Sequence, residues 1–509
     1  MPNAFAYFVL FSWPLVVIVL FRTLPLQKAL IWSIVAGFLL LPERAELNLP
    51  MVPAFDKMSI PSLTAAMMCL IVTREAARTR RMPGDVAVID PGKPTSTARW
   101  IFAGLLLLLV TSSFVTVFQN ADPIVVGPTV IPPLRSHDAL SIAAQALIML
   151  TPFLLAQRFL ATAQAHRTLL AIFVTMMLGY SLLALFEARM SPQLNIWIYG
   201  FFPHHWVHHM RGSGFKPIVF LQNGLWLGIV LAMAVLAACA LWRQALRDQV
   251  ASTPWLFAAG WLTLTLLLSR NLGATALALL IAPVILFTPL RIQVLLAATA
   301  AGCVLLFPIL RGAGWVPTDG LVSIAAFIQE DRAGSLQFRF DQEDQLLAHA
   351  NRKPLGGWGG WGRNMTFESE IGQVVIDGWW VLVIGQTGWL GYLARFGFLT
   401  VPLLLLALRR RQELSPATAG LALVLAVSLI DQIPNATASP VMWLVAGALA
   451  GYCLRVGAED PPVRDSEMVM AARWQSAYPG GPLRPLTKRT GAGVSATSAP
   501  SHHRRRPRS

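Results

Sequence analysis

Three charged residues beside apolar runs hold the chemistry this chain could perform. Arg211 opens RGSGFKP ahead of one run, Arg270 stands in SRN (269–271) between two others, and Asp377 heads a fourth. Arginine presents a planar fork of donors that suits phosphate oxygens, so such residues could meet charge developing on a phosphate leaving group. A carboxylate partly desolvated at a membrane mouth has its pKa raised towards the range where it takes a proton from a hydroxyl. Asp377 fits that role and equally fits a helix N-cap, for which Asp is a preferred residue. Lys216 and Arg339 are further cations on the same side of the chain, and Asp341, Glu343 and Asp344 are rival bases or a solvated acidic face.

Those residues need membrane-embedded elements to hold them. Hydrophobic residues make up 55% of the 509 residues and 13% are charged, with a mean hydropathy of +0.58, which excludes an ordinary soluble domain. A span takes roughly 17–25 apolar residues. Runs of this kind recur near 4–21, 27–42, 58–73, 100–118, 139–157, 168–187, 218–242, 255–269, 272–289, 292–310, 381–408, 416–432 and 438–455. The expected fold is an all-α integral membrane protein of about 12–13 transmembrane helices, residues 1–455 forming the polytopic domain. Pro14 interrupts the first run and no positive segment precedes it, so it is expected to stay as a span.

The formal charge of +15 does not point to nucleic acid. Lys and Arg concentrate in alternate short loops, among them Arg74, Arg78, Arg80, Arg81, Arg243, Arg247 and 409–411, and that side is cytoplasmic by the positive-inside rule. Residues 456–509 turn Pro-, Ser-, Gly- and Arg-rich and read as a disordered basic cytoplasmic tail able to touch anionic lipid. Cys69, Cys239, Cys303 and Cys453 fall within apolar runs, leaving no disulfide framework or CxxC site in the loops.

The outer side carries 43–57, 119–138, 188–217, 269–271, 311–380 and 431–438, and in a bacterium it faces the periplasm. Loops beyond roughly 12–15 residues are usually functional or disordered. In 191–217, Trp197, Tyr199, Phe201, Phe202 and Trp206 suit a membrane–water interface. His204, His205, His208 and His209 have i, i+4 spacing, but no carboxylate in the loop completes a metal shell, so no metal is expected. In 311–380, Leu336, Phe338, Phe340, Leu346 and Leu347 are loosely helical in spacing and predict surface helices at the membrane mouth. LGGWGGWG (355–362) lacks the GK[ST] of a phosphate loop and reads as tight turns, with Trp358 and Trp361 as faces for sugar rings or as interfacial residues.

Three of these segments together resemble the O-antigen ligase and polysaccharide polymerase superfamily, membrane glycosyltransferases that use undecaprenyl-diphosphate-linked glycans. RGSGFKPIVFLQNGLWLGIVLA (211–232) looks like that family's Arg-x-x-Gly loop entering a span with a polar Gln-Asn-Gly. LLLSRNLGATALALL (266–280) is similar to its Ser-Arg turn. KPLGGWGGWG (353–362), followed by DGWWVLVIGQTGWLGYLARFG (377–397), resembles its Pro-Leu-x-Gly-x-Gly turn and the helix carrying Glu/Gln-x-Gly-x-x-Gly, here Gln386, Gly388 and Gly391. Where the ligases typically open this helix with His and Asn, Asp377 and Gly378 stand, which favours the polymerase-like branch.

The resemblance implies an enzyme of the inner membrane with its site facing the periplasm. Lipid-linked oligosaccharide repeats would be its substrate and other polysaccharide-assembly proteins its partners, with no cofactor. In that reading Arg211, Arg270 and Asp377 are catalytic, and Lys216, Arg339, Trp358, Trp361 and Gln386 bind substrate. A ligase that transfers glycan to a lipid acceptor is the nearest alternative. A polysaccharide or lipid transporter is the alternative from another class, and it would place charges in mid-span and break helices there.

Overall fold

The computed structural model describes residues 1–48, 53–79, 96–126, 129–203, 210–211, 214–328, 330–365, 367–368, 372–373, 377–409 and 414–455. The four-histidine segment 204–209 and the 456–509 tail lie outside the described residues.

Every apolar run expected from the sequence is a helix. They are α1 (Ala4–Thr23), α2 (Leu26–Leu40), α3 (Ser59–Thr79), α4 (Ser96–Phe118), α5 (Ser136–Phe159) and α6 (Ala163–Met190). After a short α7 (Leu194–Tyr199) come α8 (Gly224–Arg247), α9 (Thr253–Leu268), α10 (Leu272–Phe287) and α11 (Leu290–Gly312). Two helices of the largest outer loop follow, α12 (Thr318–Ile328) and α13 (Glu330–Ala350), then α14 (Trp379–Leu408), α15 (Pro416–Asp431) and α16 (Pro440–Leu454). Seven of them, α1, α4, α5, α6, α8, α11 and α14, are long and apolar enough to cross a membrane. The chain is an all-α integral membrane protein.

Side-chain caps explain several helix starts. Asn3, Thr162, Asn223, Ser415 and Ser439 each accept a hydrogen bond from a first-turn backbone N–H, satisfying donors that a helix leaves without partners. α8 is apolar on all faces and buried along nearly its whole length, so it is the axis against which α6, α9, α10 and α15 pack. The described strands are three short antiparallel hairpins: β1 (Ile124–Val126) with β2 (Thr129–Ile131), β3 (Met210–Arg211) with β4 (Gly214–Phe215), and β5 (Phe367–Glu368) with β6 (Gly372–Gln373). All three lie in loops assigned to the outer side.

α14 is not one continuous helix. Gly388 has φ 63° and ψ −170°, which divides it into two halves. Broken backbone at membrane depth needs internal partners, because hydrocarbon supplies none. The glycine-rich loop provides them: Trp358 N–H donates to Gly385 C=O at 2.8 Å, Gly359 N–H to Gln386 C=O at 2.9 Å, and Trp389 N–H to Pro354 C=O at 2.7 Å. Contact this close excludes side chains, for a Cβ on Gly388 would lie 2.2 Å from Leu355 O and one on Gly357 2.7 Å from Gly385 O. Gly388→Ala therefore combines a left-handed φ with a backbone clash and is expected to cost about 3 kcal/mol. Gly104→Ala, with nothing within 4 Å of its added methyl, is the control and is expected to be neutral or slightly stabilising. Thermal unfolding in detergent checks both, and equal midpoints for the two variants would contradict the docking.

Candidate functional site

The 191–220 segment is tied down from beneath by a buried carboxylate. Glu187, near the end of α6, accepts from Ile218 N–H at 2.9 Å, Val219 N–H at 2.7 Å and Leu194 N–H at 3.1 Å. The Tyr180 hydroxyl accepts from Phe220 N–H at 3.0 Å, and Asn195 donates to Val219 C=O at 2.7 Å. From the outer side Lys57, paired with Glu43 at 2.8 Å, donates to Phe220 C=O. These bonds fix the chain just before α8, and with it the β3–β4 hairpin.

On that hairpin two of the sequence-predicted cations come together. Arg211 pairs with Gly214 across the strands. The guanidinium of Arg270 lies against the same Gly214, whose added Cβ would sit 2.7 Å from Nη2. Arg270 occupies the α9–α10 turn with φ 57°, a conformation costly for a non-glycine residue. Asn271 beside it fills the space left by Gly228. The Arg211 side chain is outside the described residues. Lys216, two residues beyond Gly214, packs along Gly224, where a Cβ would lie 2.6 Å from its Cγ, and it is within electrostatic reach of Asp431. The Gln-Asn-Gly of 222–224 thus has a local purpose: Asn223 caps α8 and Gly224 makes room for Lys216.

Asp377 and Arg339 form a second group. Arg339 Nε meets Asp377 Oδ2 at 3.1 Å, with both side chains part-exposed. The N-cap of α14 is Gly378, not Asp377, so the capping role does not fall to this carboxylate. Beside the pair, Arg311 bonds Asp344 at 2.9 Å and lies over the Phe340 ring, while Asp341 accepts from Gln337 at an exposed position. Glu343 is different. Leu336, Phe340, Glu343, Leu347 and Ala350 fall at i, i+4, i+7, i+11 and i+14, so Glu343 stands on the buried stripe of α13 and is only 6% exposed. Burial pushes its carboxyl up to about 7; Arg311 and Arg339 oppose the shift while Asp344 and Asp377 add to it.

The turn after α15 touches both groups. Trp379 N–H, two residues after Asp377, bonds the Gln432 and Asn435 carbonyls. Asp431, the residue facing Lys216, accepts from Thr437 at 2.6 Å and from Asn435 at 2.8 Å. The two cation groups therefore share one outer rim.

The glycine-rich loop is equally well fixed. Thr116 and Asn120 of the α4 end donate to Gly356 and Gly357 carbonyls, and Lys353 donates to Gln119 C=O and Asn120 Oδ1. Arg363, 2% exposed, donates to the carbonyls of Pro132, Trp358 and Asp122. His349 stacks on Trp358 at 4.3 Å between centroids, and Lys353 Nζ lies 4.3 Å from the same ring. These two groups cover part of the Trp358 ring, and its side chain is half-buried. Trp361 is 66% exposed. Gln386 contributes its backbone carbonyl to the loop contact.

Sequence reasoning passed over Glu343 as a singular residue, and missed Glu187, Arg363 and Arg395. Arg395 was legible as a charge inside the 381–408 apolar run, and Glu343 as a charge on the apolar stripe of its helix. Among the described residues, no group of three or more His, Cys, Asp or Glu side chains is placed to hold a metal ion. No family model matches the chain, and neither a curated protein nor a solved structure matches it.

The sign of the Glu343 effect on stability follows from its raised pKa. The protonated form is favoured in the fold, so its contribution is complete below the ordinary value of 4.5 and is lost as pH rises through about 7. Relative to Glu343→Gln, the wild-type chain is expected to lose about 3 kcal/mol between pH 4 and pH 8. Thermal midpoints across that range check it, and parallel profiles would reject the assignment.

Proposed function

We propose that this chain is a glycosyltransferase of a bacterial inner membrane. In this reading it extends a polysaccharide at the periplasmic face, using oligosaccharide repeats linked to undecaprenyl diphosphate. The observation that supports it most is the meeting of Arg211 and Arg270 at Gly214, on the rim that also holds Lys216 and the Arg339–Asp377 pair. Two arginines brought to one glycine suit a diphosphate that gains charge as it leaves. Asp377 is the base, oriented by Arg339, and Trp361 offers a flat face to a sugar ring.

The step is a single displacement. An acceptor hydroxyl gives its proton to the Asp377 carboxylate and attacks the anomeric carbon of a second lipid-linked repeat. The new glycosidic bond forms as the bond from that carbon to the phosphate oxygen breaks. Configuration inverts, and undecaprenyl diphosphate departs with the bonding electrons onto the arginines. Asp377 and Gly378, in place of the histidine and asparagine of the ligases it resembles, favour an acceptor that is another repeat unit over a lipid core.

A second reading, transport of a lipid-linked glycan, draws on the break in α14 and on Arg395 within that helix, features that transporters use at their binding sites. Purified protein in vesicles carrying undecaprenyl-diphosphate-linked repeats separates the two. Arg270→Ala and Asp377→Asn are each expected to lower chain formation about 100-fold or more. Near-normal chains from both variants would reject the site, and movement of repeats across the vesicle without any new glycosidic bond would favour transport.

A further inference from the structure

Arg395 is an arginine inside a membrane bundle with almost nothing to hold it. Its Nη1 donates to Thr387 Oγ1 at 2.7 Å. Among the described residues that is its one partner, and no carboxylate faces it. On α14 it lies about 200° around the helix from the lipid-exposed Leu393, so it points into the bundle. Gly391, between Arg395 and Thr387 in the chain, leaves the space that the Thr387 side chain fills on its way to the guanidinium. An added Cβ there would meet Thr387 at 2.0 Å and Ser112 of α4 at 3.5 Å. The Thr387 and Ser112 hydroxyls donate to backbone carbonyls, of Val383 and Leu109, so they neutralise none of the charge. Arg395 keeps part of its surface open.

Depth restricts what can complete the site. The half of α14 that follows Gly388, residues 389–408, rises about 30 Å, the thickness of the hydrocarbon core. With that half spanning the core, the break and Thr387 lie at its outer edge. The guanidinium reaches upward to this level, as a long cationic side chain does in hydrocarbon. A charge so placed is retained only with a partner, and a fork with unused N–H groups selects a tetrahedral oxyanion over a halide or a carbonyl.

We infer that Arg395, with Gly391 beneath it and Thr387 steadying one arm, binds a phosphate group that enters beside the glycine-rich loop at the level of the outer leaflet. The phosphate is either the head of a lipid or free in the periplasm. This site is separate from the Arg211–Arg270 rim, and its binding requires no sugar, so it stands or falls independently of glycosyl transfer.

The test uses the full chain in nanodiscs of phosphatidylcholine, in an Arg270→Ala background so that the rim arginine does not mask the result. The probes are a polyprenyl diphosphate, the matching polyprenyl alcohol, and inorganic diphosphate. The expected result is a rise in thermal midpoint with polyprenyl diphosphate and none with the alcohol, and an apparent affinity weakened at least tenfold by Arg395→Met. Arg395→Lys, which keeps the charge and loses the fork, should weaken it less and covers the case in which the methionine variant does not fold. Binding of inorganic diphosphate with the same dependence on Arg395 supports the site and assigns its source to the water side; binding of the lipid form alone assigns it to the leaflet. Without ligand, Arg395→Met should melt no lower than its parent. A lower midpoint together with unchanged diphosphate affinity would make Arg395 a clamp on the helix break and overturn the inference.

Discussion

A polar backbone group at membrane depth must find its partner inside the protein, and the middle of α14 is where this chain meets that requirement away from a regular helix. Gly388 turns the backbone out of the helix, exposing carbonyls at 385 and 386 and N–H groups at 389 and 390. Residues 354–359 answer each of them. The loop can do so only because glycine stands at 356, 357 and 388, where a Cβ would meet backbone atoms under 3 Å away. What looks in sequence like a flexible GGWGGW is a rigid insert, fixed to the end of α4 by Thr116 and Asn120 and to the 122–132 loop by Arg363.

That insert also sets the outer rim. It holds α14 with Asp377 at its head, next to the turn that carries Asp431, and it brings Trp361 to the surface while half-burying Trp358 under His349 and Lys353. The opposite part of the rim depends on a different device. Glu187 spends its carboxylate on three backbone N–H groups of the incoming loop, so the β3–β4 hairpin arrives at the α9–α10 turn in a defined position. Arg270, at a left-handed φ, lays its guanidinium in the room that Gly214 leaves, while Asn271 fills the space at Gly228. Burying a carboxylate is costly, and three charge-assisted bonds are what make it tolerable.

The helices were legible because a bilayer imposes one simple pattern, long apolar runs, and all the runs became helices. The break in α14 was not, since Gln386, Thr387 and Gly388 interrupt the apolar run no more than many unbroken spans tolerate; the break exists through contacts with a loop some thirty residues earlier in the chain. The candidate site was half legible. Arg211, Arg270 and Asp377 stand out as charges beside apolar runs, yet their neighbours depend on register and docking: Arg211 meets Arg270 through a cross-strand glycine, and Asp377 meets Arg339 across two helices. Trp358 and Trp361 look alike in sequence and end up half-buried and exposed respectively, because His349 and Lys353 close on only one of them.

Charge placement connects these features. The rim gathers cations that face the water side, where their solvation cost is low, and one arginine lies below the rim inside the bundle. Glu343 is the reverse case, an acid placed on the apolar stripe of α13 between Arg311 and Arg339. A leucine there would complete the stripe and pack α13 more firmly. Keeping a carboxyl whose pKa stands near 7 costs stability at neutral pH. It also leaves, one helix away from Asp377, a group able to take up or release a proton at that pH. Sites tolerate such a local conflict with folding where the same group serves chemistry, so under the proposed function the α11–α13–α14 junction belongs with the candidate site and not merely with its roof.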